Sequence, residues 1–140
     1  MDKYSNFDFE NLKIIKGKYW DVQVYSNQTC LGALNFWYKG EETDFLDIPK
    51  DALLEFYELG NKMKVVLVKE FKPDMFNYFS LNNVTKHLHV KMIPRYSKKI
   101  SLFGLEFVDT TFGKSYVQNP VFLLNEKILI KIKDKIKDNI

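Results

Sequence analysis

The sequence of 140 residues holds one cysteine, two histidines and one arginine. Cys30 has no second cysteine to pair with, which excludes an intrachain disulfide and a cysteine-based metal site. No apolar run approaches the ~18 residues that span a bilayer, and the first residues lack a positively charged segment followed by an apolar core. We therefore expect a soluble, cytoplasmic protein with no membrane partner.

Basic and acidic side chains nearly balance. All but one of the 21 basic residues are lysine, 18 residues are acidic, and the net charge is +3. A balance this mild does not by itself imply nucleic-acid binding, and the sequence shows no recognisable RNA-binding motif. RNA binding through lysines and aromatic residues is therefore the weakest functional alternative, and no specific nucleic-acid partner is expected.

Apolar residues that recur every three or four positions predict two helices. The first covers roughly Lys50–Phe71, where the preceding Asp47-Ile48-Pro49 supplies a capping acid and a proline for the first turn. The second covers Asn125–Ile140, where isoleucines recur every four residues with lysines and aspartates between them. We expect the apolar face of this helix to pack on the body of the protein or on a dimer partner.

Segments rich in β-branched and aromatic residues predict the strands. They are Tyr19–Tyr25, Leu31–Tyr38, Phe76–Leu81, the segment that begins at His87, and Phe103–Val108. The first two form a hairpin across the polar turn at residues 26–29. No linker or repeat divides the chain, so residues 1–140 are predicted to form one α+β domain. This domain is predicted to contain an antiparallel sheet of about five strands, a long central helix and a C-terminal helix within residues 121–140.

Both histidines lie in His87-Leu88-His89, which is followed by Val90-Lys91-Met92-Ile93-Pro94-Arg95. Alternate residues of a strand share a face, so His87, His89 and Lys91 project together. Two imidazoles and an ammonium suit an anionic substrate, because neutral imidazole is a nucleophile and a cation stabilises a phosphoryl group. Half-exposed polar surface is the alternative for such a pair. Arg95 suits either a phosphate contact or a structural ion pair.

The segment resembles the signature of the histidine-triad (HIT) nucleotide hydrolases and transferases, His-φ-His-φ-His-φ-φ, where φ is apolar. His87–Ile93 matches every position except the third histidine, which is Lys91. The similarity to a small prokaryotic branch of the family covers about Tyr19–Tyr116 and leaves an N-terminal extension, residues 1–18, outside it. It rests on Trp20, Asn27-Gln28, Leu31-Gly32, Phe103-Gly104, Asp109, Phe112-Gly113 and Tyr116. The resemblance implies a HIT-like α+β fold that is usually a homodimer.

The resemblance also implies a chemistry. His89 would attack the α-phosphorus of a dinucleoside polyphosphate or nucleotidyl phosphoramidate and form a nucleotidyl-histidine intermediate, with His87 beside the phosphate. A ring nitrogen of His89 that does not attack needs an acceptor, commonly a backbone carbonyl, to fix the tautomer. Asn27, Asn77 and Asn83 would contact phosphate or ribose, although asparagines at strand ends often satisfy their own turn. Neither a metal nor another cofactor is required.

Lys91 departs from the family pattern, because the third histidine contacts phosphate and helps to protonate the leaving group. A lysine keeps the positive charge but is a weak proton donor at neutral pH. Two hypotheses follow: a nucleotide hydrolase or transferase, or a non-catalytic nucleotide-binding or interaction module that has lost turnover. Trp37 and Tyr38 could stack on a base, although strand aromatics more often belong to the core. The base, the number of phosphates and the acceptor are not set by the motif.

Overall fold

The computed structural model describes residues 9–140 and has an α+β architecture, as predicted. Its main sheet is antiparallel and has the spatial order β1-β2-β3-β5-β4. The strands are β1 Lys13–Lys16, β2 Trp20–Val24, β3 Leu34–Tyr38, β4 Met75–Phe79 and β5 His89–Arg95. The remaining elements are helix α1 Lys50–Phe71, helix α2 Glu126–Lys137, the hairpin β6 Ile100–Leu102 and β7 Leu105–Phe107, and three short 3₁₀ segments at Phe9–Leu12, Phe45–Asp47 and Pro120–Phe122.

Strands β2 and β3 have one face in the core and another, open face on the other side of the sheet. Their alternate side chains are buried in the core with the inner faces of α1 and α2: Trp20, Val22 and Val24 on β2, and Leu34, Phe36 and Tyr38 on β3. The intervening residues point to the opposite face because strand side chains alternate. This open face carries Asn35 and Trp37 on β3, and His89 and Lys91 on β5.

Helix α1 has the predicted bounds, and polar contacts fix its first half to β2. The carboxylate of Glu55 accepts three backbone N–H groups, from Lys18, Tyr19 and Trp20, each at 2.8 Å. The indole N–H of Trp20 donates to the carbonyl oxygen of Ala52 at 2.8 Å. Because Trp20 is fully buried, these contacts orient the helix against the core face of the sheet.

The second half of α1 packs against the turn that precedes β3. Gly32 has a φ of +88°, and a Cβ atom there would lie 2.9 Å from a methyl carbon of Leu67. A side chain at this position would therefore meet both backbone strain and a steric clash. Lys72 caps the C-terminus of the helix: its N–H donates to the carbonyl oxygen of Val68, and its left-handed φ of 54° turns the chain out of the helix.

The membership of the sheet differs from the prediction, although five strands is the right number. Residues 13–16, which we assigned to an N-terminal extension, form the edge strand β1; residues 1–8 of that extension lie outside the described residues. Of the predicted strand Phe103–Val108, only Leu105–Phe107 is a strand, and it belongs to the separate β6-β7 hairpin, whose turn is formed by Phe103 and Gly104. Both residues have positive φ, 53° and 76°, which is typical of a tight hairpin turn. Phenylalanine rarely occupies such a position, so the sequence does not indicate a turn here.

Smaller differences concern the ends of elements. Strand β3 begins at Leu34 instead of Leu31, because the chain turns between Cys30 and Ala33, whose N–H donates to the Cys30 carbonyl oxygen at 3.1 Å. Helix α2 ends at Lys137, and its predicted first residue, Asn125, is the N-cap that accepts from the N–H of Ile128. None of the helices in the described part of the chain is long and apolar enough to cross a membrane.

Candidate active site

Strand β5 and the residues just before it bring the two histidines and the lysine of the motif to the open face of the sheet. The strand lies between β3 and β4, with His89 opposite Trp37, and with Lys91 opposite Asn35 on one side and Phe79 on the other. The apolar residues between them, Val90 and Met92, are buried in the core. The alternation predicted for this segment is therefore present, and it places His89 and Lys91 at a pocket.

A hydrogen bond fixes the ring of His89. Its Nδ1 lies 2.8 Å from the backbone carbonyl oxygen of His87. A carbonyl oxygen accepts hydrogen bonds and cannot donate, so Nδ1 carries the hydrogen, and in the neutral ring Nε2 has the lone pair. The ring therefore has the tautomer that a nucleophilic Nε2 requires.

The peptide groups of His89 are also held, by the segment that follows β4. The backbone N–H of His89 donates to Oδ1 of Asn82 at 3.2 Å, and the hydroxyl of Ser80 donates to its carbonyl oxygen at 2.7 Å. Asn82 in turn donates from Nδ2 to Oγ of Ser80 at 3.0 Å, and its φ of 53° is left-handed. The sequence analysis did not include Asn82 among the site residues; an asparagine is among the residues that tolerate such a φ.

The ring of His87 lies against strand β3. Its Nε2 donates to the backbone carbonyl oxygen of Tyr38, and its imidazole stacks on the indole of Trp37 with centroids 4.2 Å apart and an angle of 7° between the planes. Of the two aromatics predicted either to stack on a base or to lie in the core, Tyr38 is buried in the core and Trp37 lies on the open face.

Lys91 is held by aromatic side chains. Its ammonium donates to the hydroxyl of Tyr25 at 3.0 Å, lies 4.2 Å from the centroid of that ring, and lies 5.8 Å from the centroid of Phe79. The negative faces of the rings attract the cation. The lysine thus supplies a positive charge at a defined position, two residues from His89.

A pocket of about 490 Å³ opens beside His89 and Lys91. None of its other lining residues is charged. They are Tyr25, Asn35, Trp37, Leu81, Asn82, Asn83, Val84, Thr85 and Gln118. A second pocket of about 580 Å³ shares Tyr25, Asn35, Trp37 and Thr85 and extends the groove toward β1 and β2. With one ammonium and no acid among its lining residues, the first pocket suits an anionic ligand.

Asn35 is a site residue that the sequence analysis missed. Its side chain is 8% exposed, lines both pockets, and lies opposite Lys91, while its Oδ1 is buried without a hydrogen-bond partner. An unpaired buried carboxamide oxygen is costly. The available signal was the alternation of β3, which places Asn35 and Trp37 on the face opposite Leu34 and Phe36.

The three asparagines predicted to bind nucleotide lie in different places. Asn83 lines the first pocket. Asn27 is in the turn after β2, where its Oδ1 accepts from the N–H and the hydroxyl of Thr29 at 2.9 and 2.7 Å and its Nδ2 donates to the carbonyl oxygen of Asn119. Oδ1 of Asn77 accepts from Nη1 of Arg95 at 2.7 Å. Neither Asn27 nor Asn77 lines the pocket beside His89.

Arg95 forms a buried ion pair, the structural alternative considered for it. Its Nε donates to Oδ2 of Asp109 at 2.7 Å, and the two side chains are 3% and 1% exposed. Burial by itself raises the pKa of Asp109, but hydrogen bonds from Arg95 and the backbone N–H of Tyr96 hold it below its ordinary value. Burial and the negative charge of Asp109 raise the pKa of Cys30 to about 12, which makes this thiol a poor nucleophile.

Within residues 9–140, no group of three His, Cys, Asp or Glu side chains is placed to hold a metal ion.

The chain is similar in structure to solved histidine-triad proteins, although its sequence shows no clear relatives. No protein-family model matches the sequence, and no curated protein does. A HIT-like protein from Bartonella henselae, described as involved in cell-cycle regulation, is 16% identical with a TM-score of 0.66 over 92% of this chain and 86% of its own. A histidine-triad protein from Sinorhizobium meliloti is 13% identical, with a TM-score of 0.65 over 100% and 96% of the two chains.

A diadenosine triphosphate hydrolase from Plasmodium falciparum, solved with cyclomarin A, is also similar. It is 15% identical, with a TM-score of 0.63 over 99% of this chain and 77% of its own. At these identities the similarity concerns the fold. The chain therefore has the histidine-triad fold, in which a five-stranded antiparallel sheet packs with two helices.

Proposed function

We propose that this protein binds a nucleotide on the open face of its sheet and transfers the nucleotidyl group through His89. The observation that carries the proposal is the hydrogen bond from Nδ1 of His89 to the carbonyl oxygen of His87 at 2.8 Å. It leaves the lone pair of Nε2 available beside a pocket whose lining includes the ammonium of Lys91. The proposed substrates are dinucleoside polyphosphates and nucleotidyl phosphoramidates, and the proposed location is the cytoplasm.

The proposed reaction has two steps. Nε2 of His89 attacks the α-phosphorus, a P–N bond forms, and the bond between phosphorus and the leaving group breaks with its electron pair on the leaving group. The ring is then cationic, and the carbonyl oxygen of His87 stabilises the hydrogen on Nδ1. Water or another acceptor attacks the phosphorus, the P–N bond breaks, and a proton of the water passes to solvent. Lys91 stabilises the phosphoryl oxygens in both steps.

A second candidate is a nucleotide-binding module without turnover. The contacts of Lys91 favour it, because its ammonium already donates to the hydroxyl of Tyr25 and lies over two aromatic rings. A lysine held in this way can bind a phosphate oxygen through its charge, but lysine is in general a weak proton donor at neutral pH. The leaving group would then depart unprotonated, and transfer would be slow.

The nucleotide contacts predicted for three asparagines are supported to different degrees. Asn83 lines the pocket and is proposed to contact phosphate. The contacts of Asn27 with Thr29 and Asn119 and of Asn77 with Arg95 favour an indirect contribution, in which the two residues hold the loops beside the site. Direct nucleotide contacts of Asn27 and Asn77 stay predictions.

We also propose a homodimer that forms through β4 and α1. Strand β4 is an edge of the sheet, and its Met75 and Tyr78 are exposed. The neighbouring helix exposes further large apolar residues: Leu54, Tyr57, Val65 and Val68. An unpaired strand edge beside an exposed apolar stripe favours association with a second copy.

The enzymatic proposal is tested by the release of nucleoside monophosphate from diadenosine and diguanosine polyphosphates and adenosine phosphoramidate. Mass spectrometry of the acid-quenched and base-quenched protein follows the nucleotidyl-histidine. We expect a nucleotidyl adduct in the wild type and none in His89→Ala, with Lys62→Ala on the exposed surface of α1 as the matched control. Nucleotide binding without release or adduct would favour the second candidate, and an adduct that survives in His89→Ala would refute the role of His89.

A further inference from the structure

Trp37 is the aromatic side chain that contacts both histidines. It lies opposite His89 in the pairing of β3 with β5. Its indole is stacked on the imidazole of His87, with centroids 4.2 Å apart and planes at 7°, and lies 6.0 Å from the imidazole of His89 at 28°. Since its neighbours Phe36 and Tyr38 are buried in the core, Trp37 brings a large ring to the open face at the point where the two histidines lie.

The contacts of His87 show what this ring does. Residue 87 precedes the start of β5, and Tyr38 N–H donates to the carbonyl oxygen of Leu88 at 3.1 Å, so backbone pairing of the two strands reaches residue 88. The ring of His87 is then held by two groups of β3, the face of Trp37 and the carbonyl oxygen of Tyr38. A stacked ring has little freedom to rotate about its side-chain bonds.

His87 passes this restraint to His89 through its backbone. The carbonyl oxygen of His87 accepts Nδ1–H of His89 at 2.8 Å, and this contact selects the tautomer with a free Nε2. Residue 87 must keep its position for the acceptor to stay in reach. The stack on Trp37 therefore acts on the orientation of His89 without a bond to the reacting nitrogen.

We propose that Trp37 is a positioning residue that acts through His87 to hold His89 in its nucleophilic tautomer. This inference rests on the proposed role of His89 as the nucleophile. The alternative role for an indole beside a nucleotide pocket is to stack on the base. The two roles differ in what they change: a positioning residue alters the rate of nucleotidyl transfer, while a base platform alters the affinity for nucleotide.

The test compares Trp37→Leu with Trp37→Phe. Nitrogen-15 NMR of the imidazoles in the nucleotide-free protein reports the tautomer of each histidine, and single-turnover kinetics report the formation of nucleotidyl-His89 separately from KM. We expect the Nδ1–H tautomer of His89 in the wild type and in Trp37→Phe, and a mixture of tautomers in Trp37→Leu. Transfer should slow roughly 10- to 100-fold in Trp37→Leu, the size expected from a nucleophile displaced by about 1 Å, with KM nearly unchanged.

The remaining tryptophan provides the folding control. Trp20 is fully buried in the core, so its fluorescence shows whether both variants keep the native packing. An unchanged His89 tautomer in folded Trp37→Leu would overturn the inference, and so would a loss of affinity with an unchanged transfer rate. If the wild type forms no nucleotidyl-histidine, the proposed function fails, while the tautomer measurement still decides the role of Trp37.

Discussion

The backbone carbonyl oxygen of His87 accepts the Nδ1–H of His89 at 2.8 Å, so one histidine of the motif fixes the tautomer of the other. This contact explains why a spacing of two residues between the histidines is useful. The first histidine supplies a main-chain acceptor, and its ring is free to bond to the neighbouring strand at Tyr38. The second histidine can then present Nε2 to the pocket.

Replacement of Lys91 by methionine is expected to weaken nucleotide binding. Methionine has a similar length but no charge, so the pocket loses the cation held by Tyr25. A hydrogen bond to a charged group contributes about 1.5–3 kcal/mol, which corresponds to tenfold or more in the dissociation constant. Calorimetric titration with a nucleoside monophosphate measures the change. Equal affinities of wild type and variant would show that Lys91 does not contact the phosphate.

Replacement of Lys91 by histidine tests the leaving-group step separately. A histidine retains a ring nitrogen that can give up a proton near neutral pH, which lysine does far less readily. We expect faster release of nucleoside monophosphate in Lys91→His, with Lys91→Met as the variant that has neither charge nor proton. A release rate in Lys91→His at or below that of the wild type would mean that protonation of the leaving group does not limit turnover.

Replacement of Asn35 by leucine is expected to change stability and function in opposite directions. Leucine has nearly the same shape and removes a buried carboxamide oxygen that has no partner. Relief of such an unsatisfied group is worth about 1–3 kcal/mol, so the melting temperature should rise. Nucleotide binding should weaken, because Asn35 lines the pocket opposite Lys91. A variant that is less stable than the wild type and binds nucleotide equally well would contradict both expectations.

Replacement of Asp109 by asparagine is expected to destabilise the fold in a pH-dependent way. It leaves the buried guanidinium of Arg95 without its anion, which costs about 3–5 kcal/mol in comparable cases. The pKa of Asp109 lies below its ordinary value in the folded protein, so between the folded and unfolded pKa values the unfolded chain binds more protons. The stabilisation is therefore fully present above about pH 4 and is lost as the pH falls through the folded pKa.

Urea unfolding of the wild type and Asp109→Asn at neutral and acidic pH measures this difference. The matched control is Asp74→Asn, because Asp74 is exposed and its pKa is lowered by hydrogen bonds from the backbone N–H and the hydroxyl of Ser97. We expect a much smaller effect there. A gap between wild type and Asp109→Asn that stays constant down to the lowest pH would show that the carboxylate charge is not the source of the stability.

The proposed dimer is tested by placing a charged side chain where the surface of β4 or α1 now exposes an apolar one. Tyr78→Lys places a cation at the exposed edge of β4, and Val65→Glu places an anion on the exposed stripe of α1. If these surfaces join two copies, analytical ultracentrifugation should show a dimer for the wild type and a monomer for either variant. The control is Val121→Lys, an exposed apolar residue of a 3₁₀ segment in another part of the chain. A monomeric wild type would exclude the dimer.

The motif strand and the long helix could be predicted because each has a strong local period. Alternation at residues 87–92 placed His89 and Lys91 on one face, and the three- and four-residue pattern gave α1 its bounds. The register between strands has no such local signal. Asn35 and Trp37 became site residues when β3 paired with β5, and β1 joined the sheet through pairing with β2 despite its length of four residues.

Cys30 offers a consequence beyond the active site. Its side chain is fully buried, and the pKa of its thiol is raised to about 12. Thiol reagents react with the thiolate at an accessible sulfur, so neither condition is met in the native protein. The rate at which a reagent labels Cys30 then measures how often the core around this thiol opens, so this single cysteine reports local or global unfolding under native conditions.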